Sequence, residues 1–176
     1  GMMDTILNLG LNEKTVEGFA EQTKNPRFSW DSYRRFIQLF GKVVFGVNDE
    51  KFDHVLDAAK EKQGVIDDSK LNVESLKIIV KEYKKICEEH TKRKFPDTPD
   101  EQLVLSIEAV FKSWMGERAI VYREKNNITK DIANGTAVNI VTMVFGNMGD
   151  DSATGVVFTR NGHNGKKEIE GEYLIN

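Results

Sequence analysis

Cysteine is almost missing from this chain: Cys87 is the only one in 176 residues. No internal disulfide can form, which suits a reducing compartment. Histidine is scarce too, and His54, His90 and His163 are too scattered for zinc-ligand spacing. There is no basic excess, since 25 Lys and Arg face 28 Asp and Glu for a net charge of -3. A nucleic-acid footprint is therefore absent. No apolar run approaches the roughly 18 to 20 residues that span a bilayer, so no membrane partner is expected. The opening GMMDTILNLGLN has neither the charged n-region nor the long h-region of a signal peptide. There is no internal repeat and no low-complexity segment. These absences point to a soluble, cytoplasmic chain, or one inside an organelle of a eukaryote.

What is present suffices for a core. Hydrophobic residues make up 39% and charged residues 30%, as in one domain or two small subdomains. Both ends read as cut. The chain opens inside the apolar phrase MMDTILNLGL and closes on EIEGEYLIN, a strand whose partner is expected beyond the end. The expectation is a fragment of a longer protein.

The first part of the chain reads as helical. Met2 to Leu11 is a short strand or buried extended segment. Asn12 caps a helix through Ala20, and Asn25-Pro26 ends that unit. Ser29 or Asp31 opens a second helix, with Trp30, Tyr33, Phe36, Ile37 and Phe40 at the three-four spacing of a buried face. Within it, Arg34 and Arg35 are either a solvated pair beside the core stripe or an anion or domain-contact site. Asn48 caps a third helix with Phe52, Val55, Leu56 and Ala59 inward, closed by Gly64, and His54 lies off that stripe at the surface. Asn72 starts the longest helix, whose inner line runs Leu76, Ile79, Val80, Tyr83 and Cys87. Its outer line, with Lys77, Lys81, Lys84 and Lys85, reads as a solvated face. Cys87 reads as a core thiol rather than a nucleophile. Thr98-Pro99-Asp100-Glu101 carries the signature of a capping box. It opens a fifth helix with Leu103, Ile107, Val110, Phe111 and Trp114 on one side, closed by Gly116.

After Gly116 the period turns strand-like. Ala119 to Arg123, Val156 to Arg160 and Glu168 to Ile175 read as strands, and Thr136 to Phe145 as one long strand or two broken near Thr142. Asn161 to Gly165 has hairpin-turn chemistry. The fold class is α+β: an all-helical subdomain of about five helices, then an incomplete antiparallel sheet of about four strands. The expected divisions are an extended segment over 1–12, a helical subdomain over 13–116 and a β-rich part over 117–176.

The loop from Asn147 to Gly155 carries the most suggestive chemistry. Gly149 and Gly155 permit close backbone approach, and Ser152 and Thr154 supply hydroxyls. Free N–H groups in such a turn can hold phosphate oxygens, although Asp150 and Asp151 oppose an anion. An ordinary hairpin connection has the same composition, and neither a Walker loop nor a Rossmann fingerprint is matched. Asp150 and Asp151 are weak metal-ligand candidates. Glu168, Glu170 and Glu172 share one strand face, either as a cation site or as a wet edge. No Ser-His-Asp or Cys-His arrangement assembles.

Longer segments carry a family resemblance. GMMDTILNLGLN, NPRFSWDSYRRFIQLFG, IEAVFKSWMGERAIVYREKNNI, GTAVNIVTMVFGNMGDDSATGVVFTRN and EGEYLIN, taken in order, resemble the N-terminal nucleotide-binding region of the pyruvate, phosphate dikinases. That region has an ATP-grasp fold. The phosphoenolpyruvate synthases share it, but MMDTILNLGLN and SYRRFIQLFG look like the dikinase branch. A non-catalytic module of the same fold is the other alternative. The resemblance implies that ATP, phosphate and pyruvate interconvert with AMP, pyrophosphate and phosphoenolpyruvate. Magnesium and ATP are used at this end, and a carrier histidine shuttles the phosphoryl group. It implies that Met3, with Asp4 and Thr5, borders the nucleotide. Met143 and Val144 become hinge residues against adenine, and Thr154 and Gly155 lie over the phosphates. Gly162, His163 and Glu172 fall on a docking surface for the carrier-histidine domain. There the family's Asn-Pro-Ser-Thr-Gly turn reads Asn161-Gly162-His163-Asn164-Gly165, without the proline that stiffens it. The family's early phosphate-binding Lys and Arg would precede Gly1, and its magnesium ligands would follow Asn176. None of the three histidines sits in the carrier motif. The chain alone is therefore expected to hold no catalytic residue or metal ligand, to bind ATP weakly and to be inactive. Its expected partners are the nucleotide and the rest of the parent polypeptide, with homo-oligomerisation left open.

Overall fold

Asparagine side chains start three of the helices. Asn12 accepts from the backbone N–H groups of Lys14 and Thr15 and caps α1, Glu13–Thr23. Asn25 accepts from Phe28 and caps α2, Pro26–Val43. Asn72 accepts from Ser75 and caps α4, Val73–Thr91. Each side chain satisfies an amide that a helix start leaves without a partner. Between them lie α3, Glu50–Gln63, and a short 3-10 turn, Asp68–Lys70. Gly64 ends α3 in the left-handed region at φ 73°, as its place after the apolar stripe predicts. Then come α5, Pro99–Ser113, and α6, Glu117–Lys125. The computed structural model describes residues 3–175, so the Met2 end of the expected N-terminal segment lies outside the described residues.

The chain divides into two compact units, Gly1–Val141 and Thr142–Asn176. In the first, α2 packs against α1 and α4, and α3 packs against α4. Val16, Tyr33, Phe36, Ile37, Phe40, Phe52, Leu76, Ile79, Tyr83 and Cys87 form its core. Burying each large apolar side chain stabilises the fold by about 1.5–3 kcal/mol. Phe95 closes one end, with its ring 5.4 Å from Phe40 and 6.1 Å from Phe45, edge to face. Gly41 lets α2 approach its neighbours: a Cβ there would lie 2.6 Å from Phe52 Cζ and 2.8 Å from Cys87 Sγ.

Arg34 is neither a solvated charge nor an anion site. It is 3% exposed. Its Nε and Nη2 donate to Asp31 Oδ1 at 3.0 and 2.5 Å, and its Nη1 donates to Gln38. The same carboxylate takes Arg35 Nε at 3.0 Å through its other oxygen. Lys84 also leaves the solvated face expected of it. Its ammonium sits 5.5 Å from the Tyr33 ring centroid and pairs with Glu13 and Asp97.

Several expected boundaries move. Pro26 opens α2 rather than ending α1, because an N1 proline gives up an amide that has no helical partner anyway. The helix α1 itself runs three residues past Ala20. Ala119 to Arg123 is helical, not a strand. The amides of Ala119 and Ile120 both donate to Gly116 O and start the ladder. Arg123 then fastens the far end to the Trp114 carbonyl at 2.7 Å and lies 4.0 Å from its ring centroid. Local hydrogen bonds outweigh the β-branched composition here. On α5 the buried line is Gln102, Ser106 and Ala109. The expected Phe111 is 51% exposed.

The second unit holds the only two strands among the described residues. They are β1, Ala153–Phe158, and β2, Glu170–Ile175, paired antiparallel with Thr154 opposite Leu174 and Val156 opposite Glu172. Among the described residues the architecture is thus α+β with six α-helices and a two-stranded sheet, rather than about five helices and about four strands. Thr136 to Phe145 forms no strand despite its composition, because no described segment offers it a ladder.

Candidate functional site

The sequence-predicted site residues fall into the two units, and each group is built separately. In the first, the segment from Met3 to Leu11 is irregular and is fastened to α5 by side chains. Asp4 N donates to Ser113 Oγ at 3.1 Å, and the Met3 sulfur accepts from the same hydroxyl at 3.8 Å. Thr5 is exposed beside them. Gln102 holds the other end. Its Oε1 accepts from Gly10 N at 2.9 Å, and its Nε2 donates to Leu11 O and Pro96 O. Gly10 itself takes φ 98°, a conformation that favours glycine. Gln102 is fully buried, and sequence reasoning missed it. The available signal was a polar residue repeating with Ser106 and Ala109 at helical spacing.

In the second unit, β1 and β2 bring Thr154, Gly155 and Glu172 together. Thr154 and Val156 point to one face of the ladder with Glu172 and Leu174, and Gly155 points to the other with Tyr173. Every residue of both strands is exposed. Gly155 meets a packing demand of the hairpin itself, since a Cβ there would lie 2.9 Å from Glu172 O. Gly149 is more open, with only Asp151 Oδ1 near the position of a Cβ, at 3.4 Å. The turn around it is closed by Ser152, whose amide donates to Gly149 O at 2.8 Å and whose hydroxyl accepts from Gly149 N at 3.2 Å. Met143 and Val144 are exposed, at 38% and 85%. They lead to Gly146, where a Cβ would collide with Thr154 Oγ1 and the Ala153 carbonyl. Gly146, two residues after Val144, thus packs directly against Thr154.

Gly162 and His163 sit apart, in the turn beyond β1. Asn161 Oδ1 accepts from His163 N at 2.9 Å and Asn164 N at 3.1 Å, and Gly162 N donates to Glu170. Gly165 completes the turn at φ 72°. These side-chain bonds close the turn as an Asx turn does. Asp150 and Asp151 are both exposed in the loop. Among the described residues no group of three or more His, Cys, Asp and Glu is arranged to hold a metal ion. None of the described helices is long and apolar enough to cross a membrane.

Cys87 is a core residue. Burial, helped by the Glu88 charge, pushes the Cys87 thiol up to about 12, so it stays protonated and unreactive. His54 is exposed on α3, and His90 Nε2 lies 3.1 Å from Phe45 O. A groove in the helical unit lined by Phe45, Phe95, Pro96, Val104 and Leu105 contains none of the predicted site residues.

Comparison with known proteins gives a consistent picture. Residues 1–176 match the family described as pyruvate phosphate dikinase, AMP/ATP-binding domain. The chain is 53% identical over 177 residues to the pyruvate, phosphate dikinase of Clostridium symbiosum, covering all of this chain and 20% of that one. It is 52% identical over 176 residues to the Entamoeba histolytica enzyme, covering 20% of it. Against the chloroplastic pyruvate, phosphate dikinase 1 of Arabidopsis thaliana it is 51% identical over 176 residues, covering 18%. The chain thus spans about a fifth of the length of these curated relatives.

Proposed function

Because this chain belongs to the pyruvate phosphate dikinase AMP/ATP-binding domain family, we propose that it is part of the nucleotide-binding end of such a dikinase. The observation that carries this reading is the family match over residues 1–176, joined to about 50% identity with proteins named for that activity. The proposed overall reaction interconverts ATP, phosphate and pyruvate with AMP, pyrophosphate and phosphoenolpyruvate.

In this reading Met143 and Val144 lie against adenine. Their exposed apolar side chains offer the kind of surface that a base covers. Thr154 supplies a hydroxyl beside the phosphates. Gly149 and Gly155 keep the loop and the strand narrow enough for backbone amides to approach an anion. Met3 and Thr5, in the helical unit, are assigned to nucleotide binding by the family resemblance alone. Gly162 and His163 in the turn, and Glu172 on β2, are the residues assigned to docking of a domain that carries the phosphoryl group. Phosphoryl transfer depends chiefly on positioning and charge stabilisation. In this chain the loop carries Asp150 and Asp151 and no Lys or Arg. The cations that neutralise ATP, including magnesium, are therefore supplied by other parts of the dikinase. On its own this chain binds ATP weakly and transfers no phosphoryl group.

Titration calorimetry with magnesium and ATP tests this directly. Binding is expected to a full-length dikinase carrying these residues and not, at millimolar or better affinity, to this chain alone. Millimolar-or-better binding with phosphotransfer by this chain would overturn the claim of inactivity. A full-length protein whose turnover does not depend on phosphate would overturn the dikinase assignment.

A further inference from the structure

Three Asn-Gly pairs occur in the chain, at Asn134-Gly135, Asn161-Gly162 and Asn164-Gly165. Asn-Gly is the dipeptide most open to succinimide formation, because glycine puts no side chain in the path of its own amide nitrogen. We propose that the structure makes Asn134 the selective site of spontaneous deamidation and protects Asn161 and Asn164.

The reaction is a ring closure. The backbone nitrogen of the glycine attacks the Asn side-chain carbonyl carbon, a C–N bond forms, and the side-chain nitrogen leaves as ammonia with the amide proton. Water then opens the succinimide at either carbonyl, giving aspartate or isoaspartate. No oxidant, enzyme or metal is needed. Two things must be free for the attack: the glycine N–H, which must give up its proton, and the Asn side chain, which must swing over that nitrogen.

At the turn pairs both are engaged. Gly162 N donates to Glu170 Oε2 at 3.3 Å, and Gly165 N donates to Asn161 O at 3.0 Å. Asn161 Oδ1 is held by the amides of His163 and Asn164, and Asn164 Oδ1 by that of Lys166 at 2.9 Å. These bonds tie each side chain to amides further along the chain, away from the adjacent glycine nitrogen. At Gly165 the left-handed backbone adds a second constraint. At the third pair, Asn134 and Gly135 are both exposed and lie outside any helix or strand, and a Cβ on Gly135 would meet nothing within 4 Å. Conversion there adds a negative charge, and in the isoaspartyl form an extra backbone methylene, just before the run that leads to Met143. The inference is independent of the nucleotide reading.

Peptide mapping by mass spectrometry of this chain, aged at mildly alkaline pH and physiological temperature, reads the amide-to-acid conversion at each site. Asn134 is expected to convert about tenfold faster than Asn161 or Asn164, equivalent to about 1.4 kcal/mol in barrier. In denaturant the three rates should draw together, because the Asn-Gly pair is shared and the folded-state hydrogen bonds that separate the sites are gone. The variant Gly135→Ala has room for its methyl group and should slow the Asn134 site alone. Equal rates in the folded chain, faster loss at either turn site, or a rate order unchanged by denaturant would each overturn the proposal.

Discussion

Gln102 on α5 holds the backbone of Gly10, ninety-two positions earlier in the chain, through a 2.9 Å hydrogen bond to its Oε1. The same side chain donates to the carbonyls of Leu11 and Pro96. One buried amide thus fixes both the N-terminal segment and the entry to α5. Replacing it by alanine leaves one amide and two carbonyls without this partner. An unsatisfied buried polar group costs about 1–3 kcal/mol. Gln102→Ala is therefore expected to lower the stability of the helical unit by about 2–4 kcal/mol. Denaturant unfolding followed by tryptophan fluorescence measures it, and a loss under about 0.5 kcal/mol would mean that water replaces these bonds.

Two glycines in helices should respond to alanine with opposite signs. Gly18 lies in α1 with nothing near the position of a Cβ. Gly18→Ala should stabilise the protein by about 0.5–1 kcal/mol through backbone entropy alone. Gly41 has the same intrinsic gain available, but its new methyl group would press on Phe52 and Cys87. Overpacking of this kind costs about 1–3 kcal/mol, so Gly41→Ala should be a net loss. Equal effects at both positions would show that α2 can shift at no cost.

The contrast between Gly18 and Gly41 also marks what was legible in the sequence. Both sit in helices that periodicity predicts, and the caps at Asn12, Asn72 and Thr98 were readable because capping is a local interaction. So was the core line Tyr33, Phe36, Ile37 and Phe40, where apolar spacing agrees with the helix period. Arg34 was misread because its neutralising partner, Asp31, lies within the same turn and buries both. Ala119 to Arg123 was misread because a β-branched run takes its conformation from its hydrogen-bond partners, here Gly116 and Trp114. The long run from Thr136 to Phe145 has strand composition but no described partner, and composition alone makes no ladder. At the candidate site, Thr154, Gly155 and Glu172 come together as strand register demands. The contact of Gly146 with Thr154 had no sequence signal beyond a glycine in a loop.

Alkaline pH should weaken the helical unit. Burial raises the Cys87 thiol to about 12 and also raises the hydroxyls of Tyr83 and Tyr33, offset in part by Arg34 and Lys84 respectively. Burial alone would lower Lys84, but its neighbours Tyr33 and Asp97 more than compensate, and it too is raised. All four groups hold their protons more tightly when folded than when unfolded. Their contribution is therefore complete below the unfolded values, which begin near about 8.5 for cysteine, and is lost as pH rises above them. Unfolding free energy measured from neutral pH to about 11 should fall, and Cys87→Ala should make the first part of that fall shallower. Thiol labelling gives an independent check, because Cys87 should react at the rate of global unfolding. Stability that rises with pH above neutrality would contradict the sign argued here.

The hairpin of β1 and β2 should be the least protected regular structure in the chain. Both faces of both strands are exposed, including Val156, Val157, Phe158, Tyr173, Leu174 and Ile175. A two-stranded ribbon without a covered face is marginal in water, and local opening then needs little free energy. Amides of residues 153–158 and 170–175 are expected to exchange orders of magnitude faster than those in the middle of α2 and α4, where the core is buried. The same twelve residues are expected to become protected in a full-length dikinase, where neighbouring strands would cover their apolar side chains and continue the ladder. Hydrogen exchange on both proteins separates the alternatives. Slow exchange in this chain alone would mean that the hairpin is already covered. Fast exchange in both would remove the reason for assigning Thr154 and Gly155 to an ordered nucleotide site.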